Sequence, residues 1–110
     1  MIDTVIGIPI TDELIHNYFE SLVNSFFKIL PIRENGETTL PVYIQSLQAE
    51  LLGCKELICE LNNNPNFLTL VAILQYLHDN PDCPVQDVKR EVFKAIGICN
   101  KMKAQYEKAV

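Results

Sequence analysis

The sequence predicts an all-α fold, an antiparallel four-helix bundle preceded by a short extended N-terminal arm. In four segments, apolar residues recur every three or four positions, as on one face of a helix. An X-Pro dipeptide precedes three of these segments, and proline is favoured at the first helical position because its missing N–H has no intrahelical partner there. The length of 110 residues suits one domain with one core. We expect the arm at 1–10 and the helices at about 11–29, 41–62, 65–79 and 84–107.

The first helix is predicted to begin at Thr11, whose hydroxyl can accept hydrogen bonds from free N–H groups of the first turn. Acidic residues follow at the next two positions, where negative charge meets the positive end of the helix dipole. A wide aromatic stripe runs behind them, so this helix should bury one face. We expect it to end before Pro31, with a polar connection whose tightest point is Asn35-Gly36.

The second helix has the most regular apolar pattern, with spacings that alternate between four and three residues. The residues on this seam are Leu40, Ile44, Leu47, Leu51, Cys54, Ile58 and Leu61. This is the a/d repeat of a coiled coil, which favours near-parallel packing at crossing angles near about +20°. Gly53 interrupts the helix, so we expect either a neighbouring backbone close to it or a bend.

The third segment, NPNFLTLVAILQYLHDN, has only Thr69 and Gln75 as polar residues between Phe67 and Leu77. A helix that is apolar nearly all round is buried on most sides. The stretch FLTLVAIL is also compatible with a buried strand, because periodicity does not separate the two structures in a short apolar run. The Asn-Pro start and the length of the run favour a helix.

The fourth helix should bury one face and expose a basic one. At 100° per residue, its apolar side consists of Val85, Val88, Val92, Ala95, Ile96, Cys99, Met102 and Tyr106. The opposite side carries four cations within about 40° of each other, namely Arg90, Lys94, Lys101 and Lys108. We call these four residues the basic ridge.

Charge is distributed unevenly along the chain. The formal net charge of −5 argues against bulk attraction to nucleic acid or anionic membranes. Residues 88–108 nevertheless hold six basic and two acidic side chains, a local sum of +4. We predict that the basic ridge binds an acidic protein partner. Contact with a nucleic-acid backbone is the alternative, although a run of charge on a helix is usually only a solvated face.

Four residues with soft ligand atoms raise the question of a zinc site, namely Cys54, Cys59, His78 and Cys83. On a continuous helix the first two side chains, five residues apart, point about 140° away from each other and cannot reach one ion. The other two flank a turn, and two ligands alone do not hold zinc. We expect free thiols, Cys54 and Cys99 in the core, and no metal. A zinc-stabilised bundle is the second alternative.

Signatures of catalysis are scarce. His16 and His78 stand far apart in the sequence, and neither lies beside a nucleophile in a known motif. We expect His16 to be solvated and His78 to meet unpaired carbonyls at a helix C-terminus. Cys83 and His78 are conceivable as a nucleophile pair within one turn. Because no glycine-rich phosphate loop or metal-binding helix motif is present, we predict a non-enzymatic protein without catalytic residues or cofactor.

The N-terminal stretch MIDTVIGIPI is apolar, and Gly7 and Pro9 oppose a helix there. Such an arm either lies across its own bundle or pairs with the same segment of a second chain, and we expect a homodimer. It lacks the basic start and cleavage site of a leader, and no segment reaches the ~20 apolar residues of a membrane span. The prediction is a small cytoplasmic protein-interaction or regulatory module.

Overall fold

A computed structural model describes Gly7 and residues 10–36 and 38–106, and this part of the chain is all-helical. Its six helices are α1 (Asp12–Phe27), α2 (Ile29–Glu34), α3 (Leu40–Leu57), α4 (Cys59–Asn62), α5 (Pro65–Asp79) and α6 (Val85–Gln105). None of the described helices has the length and apolar character needed to cross a bilayer. Most of the predicted arm, and Lys108 of the basic ridge, lie outside the described residues.

The start of α1 agrees with the prediction, and its end at Phe27 lies before Pro31, as predicted. The Thr11 hydroxyl accepts a hydrogen bond from the Leu14 N–H at 3.1 Å, as expected for an N-cap. The helix ends at Phe27, and after a single residue the chain begins α2, which contains Pro31. The expectation of a connection from Pro31 onward was therefore wrong. Pro31 is tolerated because it lies in the first turn of α2, where an N–H has no intrahelical partner.

The turn after α2 holds two separated parts of the chain together. Gly36 adopts φ +64°, a left-handed conformation that favours glycine, and its N–H donates to the Arg33 carbonyl at 3.1 Å. The Arg33 guanidinium Nη2 donates to the Cys83 carbonyl at 2.9 Å, across fifty positions of sequence. The predicted Asn35-Gly36 turn is thus present, and it is tied to the turn that precedes α6.

The predicted second helix is divided into α3 and α4 by Ile58, which has an extended backbone with φ −98° and ψ 111°. Every seam residue is nevertheless buried or half-buried. Gly53 causes no close approach, since a Cβ added there would meet nothing within 4 Å. The expected neighbouring backbone was therefore wrong, and the chain leaves the helix five residues later. Ile58 keeps its side chain buried despite the change in backbone direction.

The last two long helices match their predicted bounds within two residues. Asn64 caps α5, with its Oδ1 accepting from the N–H groups of Asn66 and Phe67 at 3.0 and 3.1 Å, so the strand interpretation of this segment was wrong. Leu68 and Tyr76 are exposed on α5, so this helix is less enclosed than predicted. In α6 the predicted apolar side is buried, except that its two end residues are half-buried.

The core has an aromatic centre between α1 and α6. The Phe19 ring, which is fully buried, stacks on Tyr106 at 6.2 Å and meets the edge of Phe67 at the same distance. A second contact joins Phe27 to Phe93 at 6.1 Å. Because residue numbers rise along α1 as they fall along α6, the two helices are antiparallel. They form the most extensive helix pair in the described chain, followed by α3 with α5.

Candidate functional site

The described part of the basic ridge lies on the solvent side of α6, as its angular spacing predicted. Arg90, Lys94 and Lys101 are all exposed. Gly97 lies between Lys94 and Lys101 on the same side, and a Cβ there would meet nothing within 4 Å. The ridge therefore has a flat interval in the middle of α6, where an approaching group meets backbone instead of a side chain.

Ion pairs along the helix offset much of the charge on the first half of the ridge. Arg90 contacts Asp87 at 3.1 Å and Glu91 at 3.6 Å, and Lys94 contacts Glu91 at 4.0 Å. Lys89 next to them contacts Glu34 at 3.6 Å. The Lys89–Glu34 and Arg90–Asp87 pairs are largely exposed and contribute little to stability, about 0 to 1 kcal/mol each, so these cations can exchange their partners at low cost. The Glu91 side chain is only 14% exposed. Lys101 has no ion pair with any residue that the structure describes.

An exposed aromatic pair borders the ridge. Phe93 is 53% exposed and meets the edge of Phe27, which is 42% exposed. On the helix wheel Phe93 lies about 60° from Arg90, so the cations and the rings share one side of the molecule. We call Phe27, Phe93, Arg90, Lys94 and Lys101 the ridge surface. Phe93 was missed from the sequence because it falls outside the apolar stripe, although a large aromatic residue on a polar side was itself a signal.

The cysteine and histidine candidates are not gathered into a metal site. Within the described ranges no three His, Cys, Asp or Glu side chains are placed to hold one ion. Cys54 is half-buried, Cys59 is exposed and Cys83 is half-buried, and all are free thiols. The prediction for Cys99 is confirmed, since it lies in the core, where burial raises the pKa of its thiol to about 12.

His78 is engaged with its neighbour and not with Cys83. Its Nδ1 lies 3.3 Å from the Asp79 carboxylate. Hydrogen bonds from the Gln75 amide and then from His78 lower the pKa of Asp79. The carbonyl of Tyr76 at this helix end accepts from Asn80, so the expected role of His78 there was wrong. No hydrogen bond joins the His78 ring to the Cys83 thiol, and this arrangement provides no activated nucleophile.

The hydroxyl groups of Tyr106 and Tyr18 differ in their hydrogen bonding. Tyr106 donates to the Glu60 carboxylate at 3.0 Å, which ties the end of α6 to α4. Desolvation and then the Glu60 carboxylate raise the pKa of Tyr106 to about 12. The Tyr18 hydroxyl is buried without a hydrogen-bond partner among the described residues, and burial together with the nearby Cys54 and Glu50 side chains raises its pKa.

Comparison with known proteins gives no relative. No protein-family model matches the chain, and neither the curated proteins nor the solved structures contain a match.

Proposed function

We propose that this protein is a non-enzymatic interaction module that binds an acidic protein segment through the ridge surface. The observation that carries the proposal is the exposed Phe27–Phe93 pair beside the cations of α6. Aromatic residues and arginine are enriched where binding energy concentrates in protein interfaces. An apolar side chain of the partner can cover the two rings. Carboxylates of the partner can then form ion pairs with Arg90 and Lys94 in place of those that Asp87 and Glu91 form.

The broader features of the proposal follow the sequence predictions. The four long helices α1, α3, α5 and α6 are proposed to be the four helices of an antiparallel bundle, with α2 and α4 as short extensions. A cytoplasmic location and a homodimer are further parts of the proposal. Sedimentation analysis across a range of protein concentrations tests the dimer, because a monomeric mass at every concentration would contradict it.

The nucleic-acid alternative has less support, because the formal net charge of −5 on the whole chain opposes binding to a polyanion. A gel-shift titration at about 50 and about 200 mM salt separates the two, since binding through phosphates weakens steeply with salt. The zinc-stabilised bundle is the second alternative. Elemental analysis of protein purified without added metal tests it, and a zinc-to-protein ratio near one would favour it.

Carbodiimide crosslinking tests the ridge surface directly, because it joins a lysine amine to a carboxylate in contact with it. The full chain is incubated with native lysate, crosslinked and mapped by mass spectrometry. We expect adducts in which Lys94 or Lys101 is joined to acidic residues of a partner. Phe93→Ala should remove these adducts, whereas Leu68→Ala, which changes an exposed apolar residue on α5, should leave them.

Three results would contradict the proposal. The lysines of the ridge surface could form no adduct with another protein, or Phe93→Ala could leave the adducts unchanged. The third result comes from a mixture of isotope-labelled and unlabelled chains. Adducts between two copies of this chain would show that the ridge surface is the contact of the homodimer, and the proposal of a separate acidic partner would then be wrong.

A further inference from the structure

The ridge surface presents two rows of side chains that differ in chemistry. Arg90, Lys94 and Lys101 are exposed and lie within about 40° of each other around α6, and we call them the cation row. Phe93 lies about 60° from Arg90, on the side that faces α1, where it meets Phe27. A partner that contacts both the rings and the cations must therefore present two adjacent rows of its own.

Gly97 leaves a gap between the rings and the cation row. Around α6 it lies about 20° from Arg90, on the side of Phe93, and it is exposed. A Cβ added there would meet nothing within 4 Å among the described residues, so the space above the backbone is open. Helices pack by inserting a ridge of side chains on one into a groove on the other. The two rows and the gap between them thus form a shallow groove that suits a second helix.

The cation row also has the axial spacing of a helix. Lys94 lies about 6 Å along α6 from Arg90, and Lys101 lies about 10.5 Å farther on. A partner helix alongside α6 reproduces these distances in either direction with acidic residues at i, i+4, i+7 and i+11, all on one side. In an extended segment, residues of one face recur about every 6.7 Å in a single row. Its carboxylates would therefore miss the level of Lys101 by about 3 Å, and no second row would remain to cover the rings.

We infer, on the basis of the proposed function, that the acidic partner segment binds the ridge surface as an amphipathic α-helix that lies alongside α6. Its acidic row pairs with the cation row. A neighbouring row of aliphatic side chains covers Phe27 and Phe93, which are both exposed. Side chains between these two rows enter the gap at Gly97. This is recognition of a helix in a groove, in which the apolar anchors of the helix are three or four residues apart.

Two synthetic peptides of identical composition test the conformation of the partner, each about 18 residues or five helical turns long. Both consist of glutamate, leucine and alanine. In the helical peptide the glutamates stand at i, i+4, i+7 and i+11 beside a row of leucines, and in the alternating peptide they line one face of a strand. Binding to the full chain is measured by fluorescence anisotropy. We expect saturable binding of the helical peptide and at least about tenfold weaker binding of the alternating one.

A third peptide separates helical shape from charge pattern. It is the helical peptide with one central alanine replaced by proline, which breaks a helix and leaves the charge unchanged. We expect at least about tenfold weaker binding of this peptide. Circular dichroism of the mixtures should show a gain of helix when the helical peptide binds.

Two exposed helical glycines provide a matched pair of variants. Gly97→Leu fills the gap and should weaken the helical peptide by at least about tenfold, whereas Gly53→Leu on α3 should leave its binding unchanged. Both positions have open space for the new side chain, and leucine is a good helix former, so both variants should fold.

A helical partner is ruled out if the helical peptide does not bind, if either of the other peptides binds equally well, or if Gly97→Leu and Gly53→Leu behave alike. Failure of the proposed function has a different signature, the absence of crosslinked adducts that depend on Phe93. If the helical and alternating peptides bound equally and Phe93→Ala weakened both, the acidic partner would stand and only its helical form would be wrong.

Discussion

Two regions of the molecule bury their apolar residues by different means. One is the helix pair α1 and α6, and the other is the segment α3–α4. The first pair has an aromatic centre, with Phe19 packed between Tyr106 and Phe67, and α6 runs without interruption for 21 residues. The segment α3–α4 has an aliphatic seam and leaves the helix at Ile58. Both bury most of their predicted apolar residues, although Leu14 and Phe27 of α1 are exposed. Apolar periodicity therefore determines which side is buried, but it does not determine whether the backbone stays helical.

Truncation of one fully buried residue in each region should give the largest effects. We expect Phe19→Ala to lower the free energy of unfolding by about 3 to 5 kcal/mol, and Leu51→Ala by about 2 to 5 kcal/mol. The aromatic residue leaves the larger cavity and loses its ring contacts. Urea denaturation of both variants measures the difference. A larger loss for Leu51→Ala would show that the aliphatic seam, and not the aromatic centre, is the stronger anchor.

Alkaline pH should lower the free energy of unfolding through two groups on the α6 side of the molecule, Cys99 and Tyr106. The Cys99 thiol has a pKa of about 12 in the folded chain against an ordinary value of 9.0, and that of Tyr106 is about 12 against 10.0. The unfolded chain loses these protons first, so the stabilisation is complete below pH ~9 and is lost as pH rises towards ~12. Cys99 alone can contribute a slope of at most about 1.4 kcal/mol per pH unit.

Denaturation curves measured at several pH values test this slope. In Cys99→Ala the free energy of unfolding should fall less steeply above pH ~9 than in the unchanged chain, whatever its absolute level. Cys59→Ala is the control, because Cys59 is exposed. Equal slopes for the unchanged chain and Cys99→Ala would contradict the assignment to the buried thiol.

The N-termini of α1 and α3 should respond differently to the same substitution. Thr11 caps α1 through its hydroxyl, whereas Thr39, which precedes α3 with a helical backbone, makes no capping hydrogen bond. We expect Thr11→Ala to cost about 1 kcal/mol and Thr39→Ala to cost less than half of that. Thermal unfolding of the two variants checks the contrast. Equal losses would mean that the Thr11 hydrogen bond has no stabilising role.

The smallest effects are expected at two helical glycines, one in each region. Neither Gly53 of α3 nor Gly97 of α6 has an atom within 4 Å of an added Cβ, and neither has a positive φ. Replacement by alanine should therefore stabilise the protein by about 0.4 to 1 kcal/mol at each position. Equal gains would show that the break at Ile58 does not originate at Gly53. A loss at Gly53 alone would indicate that α3 needs the glycine.

The predictable features are those that depend on local sequence. The Thr11 and Asn64 caps, the buried side of α6 and the exposed cations of the ridge all follow from spacing and residue type. The break at Ile58 does not, because an isoleucine at a seam position is buried in either backbone conformation. The contact between Phe27 and Phe93 depends on how distant segments meet, which no local pattern specifies.

The hydrogen bond from Arg33 to the Cys83 carbonyl joins two residues that lie fifty positions apart in the sequence. Everything between these residues, including α3, α4 and α5, forms a loop whose two ends are fastened to each other at the base of α6. A single proteolytic cut in the exposed turn at 35–36 should yield two fragments that remain associated under native conditions, because α1 on one fragment packs against α6 on the other and the Arg33 hydrogen bond adds to that packing. Arg33→Met, which keeps a flexible unbranched side chain but removes the guanidinium donor, should make the nicked protein separate more readily.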